Sequence, residues 1–179
     1  MDMNSTRGGI AWPLTLAVAA LIGTLASACM MPFVAIAVAS AATMTRPQAA
    51  MAIGGIWAIN QLLGFGLLGY PLTAYAITWG VALGVAAVLT MLLAERMLGN
   101  QGVLGVRILP VFVVAFSAYE AILFGFALVA GGTGTFTPAI VSQILLNDAL
   151  CFAGLMALHL LLTRAAPRVL GAGMSFGSL

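Results

Sequence analysis

The chain has 179 residues, of which 63% are hydrophobic and only 6% are charged, so it has too few polar groups to cover the surface of a soluble domain. A soluble domain typically has roughly 45–50% apolar and about 25% charged residues, and we therefore predict an all-α integral membrane protein whose single transmembrane domain spans residues 1–179. The net charge of +2 is small and its arginines are scattered along the chain, which excludes a nucleic-acid-binding surface.

The hydrophobic pattern predicts a bundle of six short transmembrane helices. A helix needs about 20 apolar residues to cross a bilayer, and the first apolar region, 12–43, is too long for one comfortable span. We divide it near Pro32, because proline disfavours helix at the preceding residue and interrupts the backbone hydrogen bonds. The predicted spans are 12–28, 31–44, 47–68, 72–94, 105–130 and 138–163. A five-helix alternative keeps 12–43 as one long tilted helix.

The arginines predict how the helices are oriented. With the N-terminus and the C-terminus in the cytoplasm, every arginine falls on the cytoplasmic side, and the predicted outer loops carry no charge. Positive charge concentrates in cytoplasmic loops, so this arrangement is favoured, and the five-helix alternative would misplace only Arg7. We expect a multi-pass protein of a bacterial-type inner (plasma) membrane. The six residues are Arg7, Arg46, Arg96, Arg107, Arg164 and Arg168.

A cleavable signal peptide is a competing interpretation of the N-terminal region. Arg7, the apolar run after it and the small residues 26–28 resemble such a peptide. A cleaved signal is normally followed by polar sequence, whereas Cys29 leads directly into another apolar stretch. A retained first span is therefore favoured.

Polar side chains cluster in the predicted outer half of the membrane, and Asn60 and Gln61 are the first of them. Amides and carboxylates in hydrocarbon are costly unless they find partners or water, so their shared depth predicts a cavity open to the outside. The alternative is that Asn60 and Gln61 only hydrogen-bond a neighbouring helix. The predicted substrate-binding residues are Asn60, Gln61, Tyr70, Tyr75, Trp79, Glu120, Gln143, Asn147 and Asp148.

Two further patterns concern the edges of this predicted cavity. The outer loops at 69–71 and 131–138 are rich in glycine, and the second also in threonine, and we expect them to form a lid. Cys29, beside two methionines, offers soft sulfur ligands at the outer mouth. It is the one metal-ligand candidate of the chain.

Rows of small residues predict surfaces where helices approach closely. The functional interpretation is docking against another membrane subunit, and ordinary packing within the bundle is the alternative. Gly80 and Gly84 form a similar row on the fourth span. The predicted partner-docking residues are Ala19, Gly23, Ser27, Ala35 and Ala39.

The sequence shows no motif for ATP hydrolysis, zinc-peptidase chemistry or thiol redox chemistry. It contains no Walker A loop, no H-E-x-x-H motif and no CxxC pair. We therefore expect no enzyme activity, no bound cofactor and no intrinsic ATP hydrolysis.

Residues 30–71, MMPFVAIAVASAATMTRPQAAMAIGGIWAINQLLGFGLLGYP, resemble the substrate-binding S components of energy-coupling-factor (ECF) vitamin transporters, in particular the cobalamin-type members. The resemblance lies in the Pro-Phe start, the short arginine turn and the Asn-Gln…Gly-Tyr-Pro ending. Six short helices with cytoplasmic termini and no ATPase domain add an architectural likeness along the whole chain.

This resemblance implies a membrane-embedded receptor that takes up a vitamin-sized molecule, with a corrinoid as one candidate. It implies a transmembrane coupling subunit and ATPase subunits as partners, and it makes Cys29 a candidate ligand for the cobalt of a bound corrinoid. Two other functions stay open from the residues alone. One is a small self-contained channel or proton-coupled carrier that uses Glu120 and Asp148, and the other is a non-transporting subunit of a membrane complex.

Overall fold

A computed structural model of the chain describes residues 31–99 and 107–165, and the regular structure within these ranges is entirely helical. The helices are α1 Phe33–Thr43, α2 Arg46–Gln61, α3 Ala74–Leu98, α4 Ile108–Ala130 and α5 Pro138–Ala165. A π-helical segment, Leu62–Leu67, continues α2, and a 3-10 turn, Thr133–Thr135, lies between α4 and α5.

Four of these helical stretches are long and apolar enough to cross a membrane. They span Arg46–Leu67, Ala74–Leu98, Ile108–Ala130 and Pro138–Arg164. Large apolar side chains such as Val85, Leu128 and Leu146 are exposed along them, as on a surface that faces lipid. The prediction of an all-α membrane protein is confirmed at this level.

The short helix α1 forms the centre of the bundle. Its 11 residues extend only about 16 Å, well short of the roughly 30 Å hydrocarbon core. Every residue from Phe33 to Ser40 is buried, and α1 contacts each of the four long helices. The predicted span 31–44 thus contains a short central helix that does not reach across the hydrocarbon core by itself, and an apolar run of this length is more typical of a buried core helix. The predicted span 12–28 lies outside the described residues.

The small residues of α1 serve internal packing. Ala35 and Ala39 are fully buried, at 0% exposure, so they cannot offer a face to another subunit, and that part of the docking prediction is wrong. The hydrophobic run does not distinguish a small residue that faces a partner from one that lets four helices converge. Ala19, Gly23 and Ser27 lie outside the described residues.

Glycines on α3 allow α2 to pack closely against it. The Trp57 Nε1 donates a hydrogen bond of 2.7 Å to the carbonyl oxygen of Gly80. A Cβ atom at Gly84 would lie only 2.7 Å from the same indole nitrogen. The small-residue row at Gly80 and Gly84 is thus an internal contact between two long helices.

Charged groups gather at one end of the bundle, which we call the arginine end. Arg46 at the start of α2 and Glu95 near the end of α3 form an ion pair, with Nε and Oε2 3.3 Å apart, so the two helices run antiparallel. Tyr75 near the start of α3 contacts Gly131 after the end of α4, so α3 and α4 are antiparallel as well. The arginine end comprises Arg46, Glu95, Arg96, Arg107 and Arg164.

Candidate functional site

A cavity of about 840 Å³ lies at the end of the bundle opposite the arginine end, and every helix contributes to its wall. Its floor includes the buried side chains of Phe33 and Tyr119, and exposed residues such as Thr135 lie at its rim. All of the predicted substrate-binding residues except Gln143 line this cavity, namely Asn60, Gln61, Tyr70, Tyr75, Trp79, Glu120, Asn147 and Asp148. That they bind a substrate stays a prediction.

Gln143 lies outside the cavity, and its side chain is exposed. The stripe of α5 that faces the cavity is Ile140, Ile144, Asn147 and Asp148, a helical i, i+4, i+7, i+8 pattern. We expected Gln143 to share the face of Asn147 because the two are four residues apart. Each such step rotates by about 40°, which is enough to move Gln143 off the stripe.

Asp148 is the most deeply buried acid of the described residues, with 1% exposure. Its Oδ1 accepts a hydrogen bond of 2.8 Å from the backbone N–H of Ala35, and the N–H of Val34 also bonds to the carboxylate. Helix α1 has Pro32 at its N-cap, and no side chain of its own sequence caps it. Asp148 of α5 therefore supplies the cap, in the position where the helix dipole favours a negative charge.

Glu120 is the second acid of the cavity and differs from Asp148 in its partners. It is half-buried on α4, and no described residue forms a hydrogen bond or an ion pair with it. The neighbouring Tyr119 is buried, with its ring centroid 6.4 Å from that of Phe33. An acid at membrane depth without a partner is costly and typically marks a functional site.

Aromatic rings form the wall of the cavity on α3. Trp79 packs edge-on against Phe126, with ring centroids 5.0 Å apart, and against Tyr75 at 6.4 Å. The Trp79 Nε1 is buried and has no hydrogen-bond partner among the described residues. A buried N–H without an acceptor is rare in folded proteins, so the Trp79 indole contributes an unsatisfied donor to this part of the bundle.

The loop between α4 and α5 lies directly over these rings. The hydroxyl of Tyr75 donates to the carbonyl oxygen of Gly131 at 3.4 Å. Gly132 has φ of 107°, and a Cβ atom there would lie 3.0 Å from the Tyr75 hydroxyl and 3.1 Å from the Trp79 ring. Only glycine combines this backbone conformation with such a close approach, and the loop at 131–138 thereby reaches the cavity rim, as expected of a lid.

The π-helical segment widens the end of α2 beside Asn60 and Gln61. The backbone N–H of Leu68 donates to the carbonyl oxygen of Leu63 at 2.9 Å, five residues back. Next to it, the Tyr70 ring folds over Gly64, where a Cβ atom would lie 3.1 Å from the ring. Short π-helical turns of this kind occur frequently at functional sites, and residues of this one line the cavity.

Metal binding finds no support in the described residues, which hold no group of three or more His, Cys, Asp or Glu side chains able to bind an ion. Cys29, the predicted ligand, lies outside them. Phe33, Thr73 and Tyr119 also line the cavity but were not among the predicted substrate-binding residues. Of these, Tyr119 had a usable signal, because it precedes Glu120 on the same helix. Met31, one of the two methionines beside Cys29, lines the cavity as well.

The chain was compared with protein-family models, with curated proteins and with solved structures. No protein-family model, no curated protein and no solved structure matches the chain. The resemblance of residues 30–71 to S components therefore stays a prediction from the sequence.

Proposed function

We propose that this protein is a membrane-embedded substrate-binding subunit for the uptake of a vitamin-sized molecule. The observation that carries the proposal is the convergence of the predicted polar and aromatic side chains on one cavity: the three amides Asn60, Gln61 and Asn147, the three aromatic residues Tyr70, Tyr75 and Trp79, and the acids Glu120 and Asp148. Ligand sites are largely apolar clefts with a few convergent polar groups, and drug-sized ligands occupy roughly 300–1,000 Å³. The cavity, at about 840 Å³, is of that size.

The proposal includes the architecture and partners implied by the resemblance. Residues 12–28 provide a further span, both termini lie in the cytoplasm, and the cavity opens to the outside of a bacterial-type inner membrane. A transmembrane coupling subunit with ATPase subunits provides the energy for release. A corrinoid exceeds a drug-sized ligand, so a smaller vitamin fits the cavity volume better.

The test is mass spectrometry with an absorbance spectrum on protein gently purified from cells fed a vitamin mixture. We expect one small molecule at near-equal stoichiometry, and a corrinoid would be visible in the absorbance spectrum. The Asn60→Ala variant should lose the ligand, whereas Gln143→Ala, an amide outside the cavity, should keep it. Cys29→Ala tests the cobalt ligand in the same way. An empty, folded protein at saturating vitamin concentrations would contradict the proposal.

A proton-coupled carrier or channel is the second candidate, favoured by the presence of both Glu120 and Asp148 in one cavity. The purified protein would then move a solute across liposome membranes without ATPase partners, and Glu120→Gln would stop it. Co-purification with a larger complex, with nothing small bound, would favour a non-transporting subunit instead.

A further inference from the structure

The charges around the cavity have one sign. Glu120 and Asp148 both line it, and no arginine, lysine or histidine is among its lining residues in the described part of the chain. The chain has no lysine at all. Every arginine between residues 31 and 165 that the structure describes lies at the arginine end, and Arg107 precedes Glu120 by about 20 Å along α4.

The two acids differ in what offsets their charge. Asp148 accepts hydrogen bonds from the first turn of α1, whose N-terminal dipole favours a negative charge. Glu120 has no such partner among residues 31–99 and 107–165. A carboxylate partly removed from water is stabilised by a nearby positive charge, and a cationic ligand in the cavity that Glu120 lines can supply one.

The rest of the wall suits an organic cation. Trp79, Tyr75, Tyr119 and Phe136 present aromatic rings to the cavity, and aromatic faces attract cations. An anion would instead meet two carboxylates, and a neutral molecule would leave Glu120 without a counter-charge.

We infer that the substrate of this cavity is an organic cation with an aromatic or apolar body, held with its positive group against Glu120. This inference rests on the proposed substrate-binding function and narrows its substrate class.

The test uses three probes that share one pyridine ring and a carbonyl acceptor but differ in charge. They are 1-methylnicotinamide, a cation, nicotinamide, which is neutral, and nicotinate, an anion. Equilibrium dialysis at millimolar concentration, on protein reconstituted in lipid nanodiscs, gives the affinity of each. We expect the cation to bind at least about tenfold more tightly than the neutral probe and the anion to bind most weakly.

Two variants, each of which removes one negative charge, test whether Glu120 causes the preference for the cationic probe. Glu120→Gln should reduce the cation's advantage about tenfold or abolish it, whereas Glu95→Gln removes an equal charge at the arginine end and should leave it unchanged. Equal affinity for the three probes, preference for the neutral or anionic probe, no binding of any probe, or an unaltered preference in Glu120→Gln would overturn the inference. A neutral or anionic vitamin bound in the vitamin-mixture experiment would overturn it too, while leaving the binding function in place.

Discussion

At the residue scale, Asp148 has two roles, one in the cavity wall and one in the structure of the central helix. It lines the cavity, and it also bonds to the backbone of Ala35 at the start of the central helix. The ligand-binding region is therefore joined directly to the core, so a change of ligand contacts near Asp148 would act on α1 as well. Glu120 has no comparable structural role among the described residues, which makes it the better position for testing binding without unfolding.

Removal of the Asp148 carboxylate should destabilise the fold. We expect Asp148→Ala to lower the free energy of unfolding by about 1–3 kcal/mol, because it leaves buried N–H groups of α1 without an acceptor. Asp148→Asn keeps one oxygen that can accept from the N–H of Ala35 and should lose clearly less. Thermal unfolding in detergent, followed by circular dichroism, measures the difference. Equal loss in the two variants would show that the charge, and not the cap, stabilises α1.

At the element scale, close packing of α2 on α3 depends on glycine. A Cβ atom at Gly84 would lie 2.7 Å from the Trp57 Nε1 and 2.8 Å from its Cδ1, so the rigid indole would have to move. At Gly80 the nearest atoms belong to the flexible end of Gln61, which can rotate away. The two glycines belong to the same small-residue row, but a side chain at Gly80 would displace only a flexible group, whereas one at Gly84 would displace a rigid ring.

We therefore expect Gly84→Ala to destabilise the protein by about 1–3 kcal/mol despite the better helix propensity of alanine. The displaced indole would also lose its 2.7 Å hydrogen bond to Gly80. Gly125→Ala is the matched control, because a Cβ atom there meets nothing within 4 Å, and it should leave the melting temperature unchanged or raise it. A loss of the same size at both positions would contradict the packing argument.

The hydrophobic pattern predicted the long helices well and the short one poorly. The spans 72–94 and 105–130 match α3 and α4 to within four residues at every end, because each contains enough apolar residues to identify a long helix. For 31–44 the same pattern could not separate a membrane span from a core helix, since both are apolar on every side. The 11 residues of α1, all of them small or apolar, form the centre of the bundle.

At the scale of the whole molecule, the sequence predicted how far along its helix a residue lies better than it predicted which side of the helix the residue is on. Counting residues along each span correctly brought Asn60, Trp79 and Glu120 to one end, because position along a helix follows from its rise. Which side of α5 faces the cavity depends on packing against α1, and so the exposed Gln143 was misjudged.

The whole molecule has a polarity that predicts its orientation. The arginine end holds every described arginine, whereas the cavity end holds Glu120 and Asp148 but no basic residue in the described ranges. Because positive charge remains in the cytoplasm, we expect the cavity to face outward. Cysteines introduced at Gly134 and Thr45, both exposed, mark the two ends in a background with Cys29→Ala and Cys151→Ala.

A membrane-impermeant maleimide should label Gly134→Cys in intact cells and Thr45→Cys only after permeabilisation. Neither substitution alters an arginine, so the determinants of orientation stay in place, and labelling of both after detergent treatment controls for reactivity. The reverse pattern would place the cavity in the cytoplasm, where it could not collect a solute from outside. An uptake function would then be excluded, even if the cavity bound its cationic probe, since binding depends on Glu120 and its surroundings whereas uptake depends on which side of the membrane they face.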